Sequence, residues 1–478
     1  MRLGTGSSMS VNKMERMLFE TSRAAEYFST DELAKQTGQE AEYFGDVVVK
    51  ELADNALDAA EAAGVAPRVE IGYRHRGSSL VELSVADNGP GIPPKAVESI
   101  LDFTTRTSDK AHYRSPTRGA QGNALKTLVG MPHALGSAEP VVVEARESRH
   151  VIKATVDSAG EPRVMRKVKE SDRSVGTKVS VPLPHEHISF DPSYWAAAIS
   201  LFNPHAFVKL ESSDEGSDHG ESKGGDSVQI YKPTVPALAK YRPTDPTSPH
   251  WYDTESLGRL IGAHIGHARN GGEDLPVGEF VRQFRGLKST AKAKAVCGLL
   301  GPVRHLSDFE RERDHQLDWR SVEVLLRAMQ EETTPPAHKA LGRIGEEHFR
   351  ERFGELYGGE LVGYKHVKGY LPNGLPYVFE FALAESNEVH HEALFYGVNY
   401  SPTFGDPLED LRLKGSEYAS NGVAQFLIDG FAHPKWLTPG DPGPRRGTAA
   451  AVHIITPAPL FMERGKTRLG GFQKEGGR

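Results

Sequence analysis

Three oxygen-bearing side chains recur at helical spacing near the start of the chain. Glu51, Asn55 and Asp58 occupy positions i, i+4 and i+7 of the segment KELADNALDA, which places them on one face of a helix. Mg²⁺ prefers a few hard oxygen ligands, and the amide oxygen of Asn55 can supply one. The carboxylate of Glu51, one turn earlier, can hold an attacking water and accept its proton. The alternative is the solvated face of an ordinary helix.

A carboxylate followed by glycines forms the second candidate motif, in the segment VADNGPGIP at 85–93. Asp87 can accept a hydrogen bond from the exocyclic amine of a purine, while Gly89 and Gly91 let the backbone approach the base closely. Ile92 lies in the same turn. The alternative is an Asx turn between a strand and a helix, which such sequences often form.

Two glycine-containing segments complete the set. RGAQGNALK at 118–126 places glycines before a predicted helix, where exposed backbone N–H groups and the helix dipole favour a phosphate. VGTKV at 175–179 opens a predicted strand with a Gly–Thr pair, which could place the hydroxyl of Thr177 near a base. A mobile loop and an ordinary strand start are the respective alternatives.

The surrounding pattern predicts the elements that position these motifs. Apolar residues recur with helical period over 43–64, and Gly64 with Pro67 marks the end of that helix. Residues 95–103 and 124–129 are also predicted to be helical, separated by a long polar loop at 104–123. Alternating apolar residues predict strands at 68–73, 81–86, 140–147, 150–156, 162–169 and 177–182. Together these elements indicate an α+β domain.

In this order the four motifs resemble the GHKL superfamily of gyrase, the large ATP-driven chaperones, histidine kinases and MutL, which share the Bergerat fold. The resemblance implies an α/β-sandwich ATPase domain in which Glu51 is the general base and Asn55 binds Mg²⁺. It implies that Asp87 recognises adenine and that ATP is the nucleotide. The implied nucleotide-binding residues are Asn55, Asp58, Asp87, Gly89, Gly91, Ile92, Thr107, Ser108, Gly119, Ala120, Gln121, Gly122, Asn123 and Thr177.

One position of the predicted lid departs from that family. The lid in close relatives usually reads GxxGxG, and the last glycine position is Ala124 here. Alanine restricts the backbone more than glycine does. We therefore expect nucleotide binding more firmly than lid closure and turnover.

The rest of the chain resembles the B subunit of DNA topoisomerase VI. The segments that carry this likeness lie at 24–28, 201–206, 240–243, 278–280 and 341–347. The resemblance implies a central helical domain of the helix-two-turns-helix kind and a C-terminal α/β transducer-like domain. It also implies a catalytic switch lysine that reaches the γ-phosphate, here Lys466, for which a basic C-terminal tail is the alternative. The predicted domains are an N-terminal arm at 1–25, the ATPase domain at 26–235, the helical domain at 236–336 and the transducer-like domain at 337–478.

Between these domains the sequence predicts less regular segments. The polar segment 211–227 is predicted as a loop inside a hairpin, and the proline-rich segment 232–250 as a linker. Residues 254–331 are predicted to be helical throughout, with breaks near Gly271, Gly301 and Asp308. The last region is predicted to contain helices at 341–353 and 407–418 and strands at 361–368, 376–384, 393–398 and 449–456. The compact segment GVNYSPTFGDP at 397–407 is predicted to be a structured loop.

Composition and charge indicate the cellular compartment that we expect for this protein. The chain has 478 residues, a net charge of −7 and one cysteine, Cys297. It has no secretory signal and no apolar run long enough for a membrane span. We expect a cytoplasmic, nucleoid-associated protein without a membrane partner and without a disulfide.

A local basic patch is the candidate contact with duplex DNA. Between residues 280 and 306 six basic side chains occur and no acidic one: Arg282, Arg285, Lys288, Lys292, Lys294 and Arg304. Such a patch can contact the phosphate backbone, although a solvated helix face is the alternative. The chain has no recognisable DNA-cleaving module, so a separate cleaving protein resembling the A subunit of topoisomerase VI is a further predicted partner. Only 12 residues follow Lys466, which weighs against the docking helix that such a partner would use.

Several functions fit these observations. The first is the ATPase component of a topoisomerase type II-like motor, an ATP-driven clamp that forms a homodimer on ATP binding and acts on duplex DNA. The second is a GHKL ATPase of a bacterial DNA-defence or DNA-maintenance system without strand passage. The third is a regulator that binds the nucleotide without hydrolysing it. A GHKL protein kinase is disfavoured because no phospho-acceptor helix pair precedes the ATPase domain.

Overall fold

The protein contains two β-sheets with helices packed against and between them. The computed structural model describes residues 23–77, 79–103, 112–118, 124–158, 160–215, 226–371, 373–386, 393–405, 407, 447–459 and 461. Among these residues the first sheet has eight strands in the order β5-β4-β3-β6-β2-β1-β7-β8, and the second has five in the order β12-β11-β13-β10-β9. This mixed architecture confirms the predicted α+β class.

The eight-stranded sheet is antiparallel except where β1 pairs with β7 in parallel. All six strands predicted up to residue 182 are present, each within a few residues of its predicted bounds. β7 and β8 form the predicted hairpin. The loop predicted at 211–227 is too long at both ends, because β7 extends to Glu215 and β8 begins at Ser227. The strands are β1 Arg68–Arg76, β2 Leu80–Asp87, β3 Val141–Ala145, β4 Ser148–Val156, β5 Pro162–Glu170, β6 Thr177–Pro184, β7 Phe207–Glu215 and β8 Ser227–Tyr231.

Helix α2, Phe44–Ala62, is the element that carries the first motif. It packs against β1 and β2, and it ends before Gly64, which adopts a left-handed φ of 72°. Its apolar side chains Val48, Leu52 and Leu57 are almost fully buried, so packing against the sheet stabilises the helix. The other helices of this part are α1 Thr30–Thr37, α3 Pro94–Ile100, α4 Ala124–Ala134 and α5 Pro192–Phe202.

The segment 254–331 is helical with longer interruptions than the sequence predicted. Residues 310 and 317 form an isolated antiparallel bridge, and the break predicted near Asp308 extends to the start of the last helix at Trp319. A capping box between Asp253 and Ser256 begins the first helix. The helices are α6 Thr254–Arg269, α7 Val277–Arg282, α8 Thr290–Gly298 and α9 Trp319–Glu331.

The C-terminal part forms the five-stranded sheet with helix α10, Glu346–Tyr357, against it. The prediction of one helix from 341 to 353 is wrong at its start, because Gly342 and Gly345 have φ values of 84° and 97° and interrupt it. The helix predicted at 407–418 lies outside the described residues. The strands are β9 Glu360–Tyr370, β10 Pro376–Ser386, β11 Ala393–Val398, β12 Ser401–Pro402 and β13 Gly447–Ile455.

No helix in the described part of the chain is long and apolar enough to cross a membrane. The predicted domain boundaries stay predictions, although the two sheets fall within the first and third predicted globular domains and the helices α6–α9 within the second.

Candidate active site

A turn at the end of β2 holds the second motif. Asp87 ends the strand, and its Oδ1 accepts hydrogen bonds from the backbone N–H groups of Gly89 at 2.7 Å and Thr177 at 3.2 Å. Burial raises the pKa of Asp87 above its ordinary value, against the opposing effect of these two bonds and of the Arg173 charge. Both bonds involve Oδ1, so Oδ2 accepts none from the described residues and can receive a ligand.

The start of β6 interlocks with this turn through glycine backbone. Gly176 has a φ of 70°, and a Cβ at its position would lie 1.8 Å from the carbonyl oxygen of Asp87. Gly91 has a φ of 74°, and its Cβ would lie 2.9 Å from the carbonyl oxygen of Gly176. Only glycine combines the left-handed conformation with such close contacts. The sequence pattern did not identify Gly176 as a site residue, although it precedes Thr177.

Thr177 ties the two segments together a second time. Its Oγ1 accepts the backbone N–H of Ile92 at 3.1 Å, while the N–H of Gly176 donates to the carbonyl oxygen of Gly89 at 3.0 Å. The structure therefore brings five predicted site residues into one turn, which we call the purine turn: Asp87, Gly89, Gly91, Ile92 and Thr177.

One open stripe runs along α2. Between residues 47 and 60 every side chain is buried except those of Glu51, Asn55 and Ala59, and Asn55 is the most open of the three. A Cβ on Gly89 would lie 3.0 Å from the Cβ of Ala59, so the stripe ends at the purine turn. At a rise of about 1.5 Å per residue, Glu51 lies about 12 Å along the helix from that end. The candidate base and the candidate Mg²⁺ ligand thus share one open surface with the purine turn.

Asp58 has a different environment from the one that its spacing predicts. The helix turns by about 100° per residue, so Asp58 lies between Glu51 and the edge occupied by Asp54 and Glu61. Its side chain is buried, and its Oδ1 accepts from Nη1 of Arg118 at 3.0 Å. The arginine thus engages Asp58 on the side of the helix that faces the C-terminal sheet.

Arg118 is the centre of a buried ionic cluster that the sequence pattern did not reveal. Besides Asp58 it donates to Oε1 of Glu61 at 3.0 Å and to the amide oxygen of Asn203. Glu61 also contacts Nζ of Lys240 at 2.7 Å and Nε2 of His205 at 3.0 Å. The partners are 57 or more residues from Arg118 or Glu61 in sequence, so no local pattern pairs them.

Charge controls protonation in this cluster. Burial alone would raise the pKa of Glu61, but the charges of Arg118 and Lys240 outweigh it and hold that pKa well below its ordinary range. Burial and the Arg118 charge lower the pKa of Lys240 to about 8, although Glu61 opposes this. The cluster is therefore ionic at neutral pH and joins α2 to the segments that follow it.

Several predicted positions lie outside the described residues. These are Thr107 and Ser108, the lid residues Gly119, Ala120, Gln121, Gly122 and Asn123, and the switch lysine Lys466. Their flanks are described: Arg118 is buried immediately before the lid, and α4 begins immediately after it at Ala124.

Five of the six side chains of the basic patch are exposed, and Lys292 is half-buried. Arg285 donates to the hydroxyl of Tyr241 at 2.7 Å, Lys292 donates to the carbonyl oxygen of Glu332, and Arg304 donates to the carbonyl oxygen of Gly301. Arg282, whose guanidinium lies 3.8 Å from Oε1 of Glu279, and Lys288 line a cavity of about 650 Å³ between the helices, residues 113–118 and the C-terminal sheet. Lys294 is also exposed.

Comparison with known proteins identifies the class of the first domain. Residues 46–187 match the family described as histidine kinase-, DNA gyrase B-, and HSP90-like ATPase. This range contains all but the first two residues of α2, the purine turn and Thr177, so the chain contains a GHKL ATPase domain.

The chain is similar to proteins named as the B subunit of type 2 DNA topoisomerase 6. That of Natronomonas pharaonis is 28% identical over 182 residues, which cover 35% of this chain and 21% of the relative. That of Pyrococcus horikoshii is 25% identical over 175 residues, covering 35% of this chain and 31% of the relative. That of Thermococcus kodakarensis is 22% identical over 379 residues, covering 72% of this chain and 65% of the relative.

The chain thus spans less than two thirds of the length of these relatives. A crystal structure of the N-terminal domain of a DNA repair protein aligns with 86% of this chain at 12% identity, but its TM-score of 0.34 is too low to inform the fold.

Proposed function

We propose that this chain binds ATP along the open stripe of α2 and hydrolyses it, with Glu51 as the general base. The observation that carries the proposal is the continuity of the stripe with the purine turn, because Ala59 lies against Gly89. A nucleotide with its base at the turn would then extend its phosphates toward Asn55 and Glu51. The presence of a GHKL ATPase domain over residues 46–187 supports the same assignment.

Each residue has a definite task in this proposal. Oδ2 of Asp87 accepts a hydrogen bond from the exocyclic amine of adenine. The glycines of the purine turn leave room for the base. Asn55 is exposed on the stripe, and its amide oxygen is a suitable hard ligand for Mg²⁺. Bound Mg²⁺ would neutralise charge on the phosphates. Glu51 orients the attacking water and accepts its proton, while the lid at 119–123 and Lys466 contact the phosphates.

We further propose that ATP binding closes a homodimer clamp on duplex DNA. The similarity to the B subunit of topoisomerase 6 over 72% of the chain supports this output. The exposed Arg282 and Lys288 are the side chains that we assign to the DNA backbone. A DNA-defence or maintenance ATPase without strand passage would use the same site. The alternative of a nucleotide-binding regulator rests on Ala124, at the end of the predicted lid motif.

The test is phosphate release by the purified chain and by Glu51→Gln, each with and without duplex DNA. We expect Glu51→Gln to lower turnover by about 10²–10⁴-fold because it removes the general base. ATP affinity should stay within about twofold of the unmodified chain. Glu170→Gln, on an exposed position of β5, is the matched control and should leave both quantities unchanged.

The outcomes separate the alternatives. Turnover that DNA stimulates and Glu51→Gln abolishes supports the clamp, and relaxation of supercoiled DNA in the presence of a cleaving partner distinguishes it from a maintenance ATPase. ATP binding without phosphate release would contradict the proposed ATPase activity. The chain would then be a regulator that binds the nucleotide without hydrolysing it. Equal turnover in Glu51→Gln would overturn the assignment of the base.

A further inference from the structure

A tight turn in the C-terminal sheet projects onto the ATPase domain. Residues Val398 and Ser401 pair across β11 and β12, and the two residues between them form the loop of the hairpin. We call residues 399–401 the coupling turn. Asn399 and Tyr400 have φ values of 51° and 68°, so both loop residues are left-handed, as a type I′ turn requires. Tyrosine adopts this conformation rarely, which indicates that its surroundings hold it there.

The C-terminal part of the chain holds the coupling turn from behind. The N–H of Tyr400 donates to Nε2 of His453 at 3.1 Å, and its hydroxyl donates to the carbonyl oxygen of Leu341 at 2.9 Å. Oδ1 of Asn399 accepts the N–H of Thr456 at 2.9 Å. Asn399, Tyr400, His453 and Thr456 are all buried. The turn is therefore rigidly attached to its own sheet.

The front of the turn contacts two segments of the nucleotide site. Nδ2 of Asn399 donates to the carbonyl oxygen of Thr117 at 3.4 Å, and the carbonyl oxygen of Tyr400 accepts from Nε of Arg118 at 3.4 Å. Thr117 and Arg118 are the last residues before the glycine-rich lid. Oγ of Ser401 donates to Oδ2 of Asp54 at 2.6 Å, and Asp54 immediately precedes Asn55 on α2.

A short chain of contacts continues from the turn to the candidate base. Asp54 also contacts Nζ of Lys50 at 3.0 Å, and the same Nζ lies 3.5 Å from Oε1 of Glu51. Burial opposes the charge of Lys50, but the Asp54 and Glu51 carboxylates outweigh burial and raise its pKa above the ordinary value. Lys50 is thus a cation that contacts both Glu51 and Asp54, and Asp54 in turn accepts the hydrogen bond from Ser401.

We infer that the coupling turn positions the catalytic machinery: through Ser401–Asp54–Lys50 it places Glu51, and through Asn399 and Tyr400 it places Thr117 and Arg118, which precede the predicted lid in sequence. The inference rests on the proposed ATP hydrolysis and adds positioning residues to it. The cavity of about 650 Å³ beside Asn399 and Ser401 leaves room for the turn to shift when the C-terminal sheet moves. Movement of that sheet then changes the rate of hydrolysis without altering the purine turn.

Two variants of the full chain test this inference. Ser401→Ala removes the bond to Asp54. Asn399→Gly removes the side-chain bonds to Thr117 and Thr456 but tolerates the left-handed backbone. Thr403→Val is the matched control, because its hydroxyl donates to the carbonyl oxygen of Gly405 within the same loop. Ser401→Thr, which keeps a hydroxyl, is the rescue variant.

We expect kcat to fall about tenfold in Ser401→Ala and Asn399→Gly, corresponding to about 1.4 kcal/mol. The ATP dissociation constant should remain within about twofold, because the purine turn lies elsewhere. Thr403→Val should match the unmodified chain in both quantities, and Ser401→Thr should recover most of kcat. A purely structural role would instead move the thermal midpoint, affinity and kcat together. Unchanged kcat in both variants would overturn the inference.

Hydrogen exchange with a non-hydrolysable ATP analogue gives a readout that needs no turnover. In the unmodified chain the analogue should slow exchange at 85–92 and at 393–405. In Ser401→Ala and Asn399→Gly the slowing at 85–92 should persist while that at 393–405 is lost. Slowing confined to 85–92 in the unmodified chain would overturn the coupling and leave the ATP site intact. No slowing anywhere would overturn the proposed function itself, and this inference with it.

Discussion

The purine turn and the buried ionic cluster lie on either side of α2, and each contains a carboxylate. The surroundings of these two carboxylates, Asp87 and Glu61, differ. Asp87 is held by neutral backbone donors on one oxygen, and burial raises its pKa. Glu61 is surrounded by cations, and its pKa is held down. Asp87, the proposed ligand-binding carboxylate, has one oxygen that accepts no hydrogen bond from the described residues. Glu61, which joins distant parts of the chain, is neutralised by fixed charges.

The largest effect should come from removing the cation at the centre of the cluster. Arg118→Met leaves the buried Asp58 and Glu61 without their main partner, which should lower the free energy of unfolding by about 3–5 kcal/mol. Urea denaturation measures this loss. Arg76→Met is the control, since Arg76 pairs with Glu82 at the surface and should cost about 0–1 kcal/mol. Similar losses in the two variants would remove the contrast between the cluster and an ordinary surface pair.

The next effect concerns the backbone of the purine turn. Gly176→Ala introduces a methyl group 1.8 Å from the carbonyl oxygen of Asp87, so the turn must open. Gly136→Ala is the control. Gly136 has a φ of 83°, and nothing lies within 4 Å of a Cβ added at its position, so this substitution strains the backbone without a steric clash. We expect ATP affinity to fall by about 2–3 kcal/mol in Gly176→Ala only. Titration calorimetry decides, and normal affinity in Gly176→Ala would separate this turn from the nucleotide.

Asp87→Asn tests whether the clear oxygen is used. The amide oxygen can still accept from Gly89 and Thr177, but an N–H group now faces the exocyclic amine. ATP affinity should fall by about 1.5–3 kcal/mol, measured by calorimetry. Asp157→Asn is a matched change, since Asp157 accepts the backbone N–H of Glu161 in a remote turn, and it should bind ATP normally. A normal affinity in Asp87→Asn would mean that adenine is recognised elsewhere.

Asp46 extends the comparison to a largely buried carboxylate that contacts no cation among the described residues. Burial raises its pKa to about 6, while donation from the indole of Trp195 opposes this. Since the folded state binds the proton more tightly, the stability contributed by Asp46 is present below pH 4 and lost as pH rises through 6.

The free energy of unfolding of Asp46→Asn, relative to the unmodified chain, should therefore increase by about 2 kcal/mol between pH 4 and pH 7. Chemical denaturation at both pH values measures it. A difference that does not change with pH would show that Asp46 is solvated after all.

The local sequence was sufficient for most helices and strands. Helical period predicted α2, and alternation predicted the strands of the first sheet. The predicted approach of Gly89 and Gly91 to a purine base stays a prediction. Helices and strands depend on neighbours within a few residues, which a periodic pattern records. The contacts of Thr177 with Asp87 and Ile92 span 90 and 85 residues and come from the fold. The roles of the lid residues and of Lys466 stay predictions.

Tertiary structure alone decided how the carboxylates of α2 are divided. Spacing placed Asp58 with Glu51 and Asn55, whereas Arg118, 60 residues away, engages it on the side of the cluster. The sequence alone predicted no role for the loop at 397–407. In the structure Ser401 of this loop donates a hydrogen bond to Asp54, which lies 347 residues earlier in the chain. Helical period gives the direction of a side chain but not the partner that reaches it, because buried charges are paired by whichever distant segment the fold brings within hydrogen-bond distance.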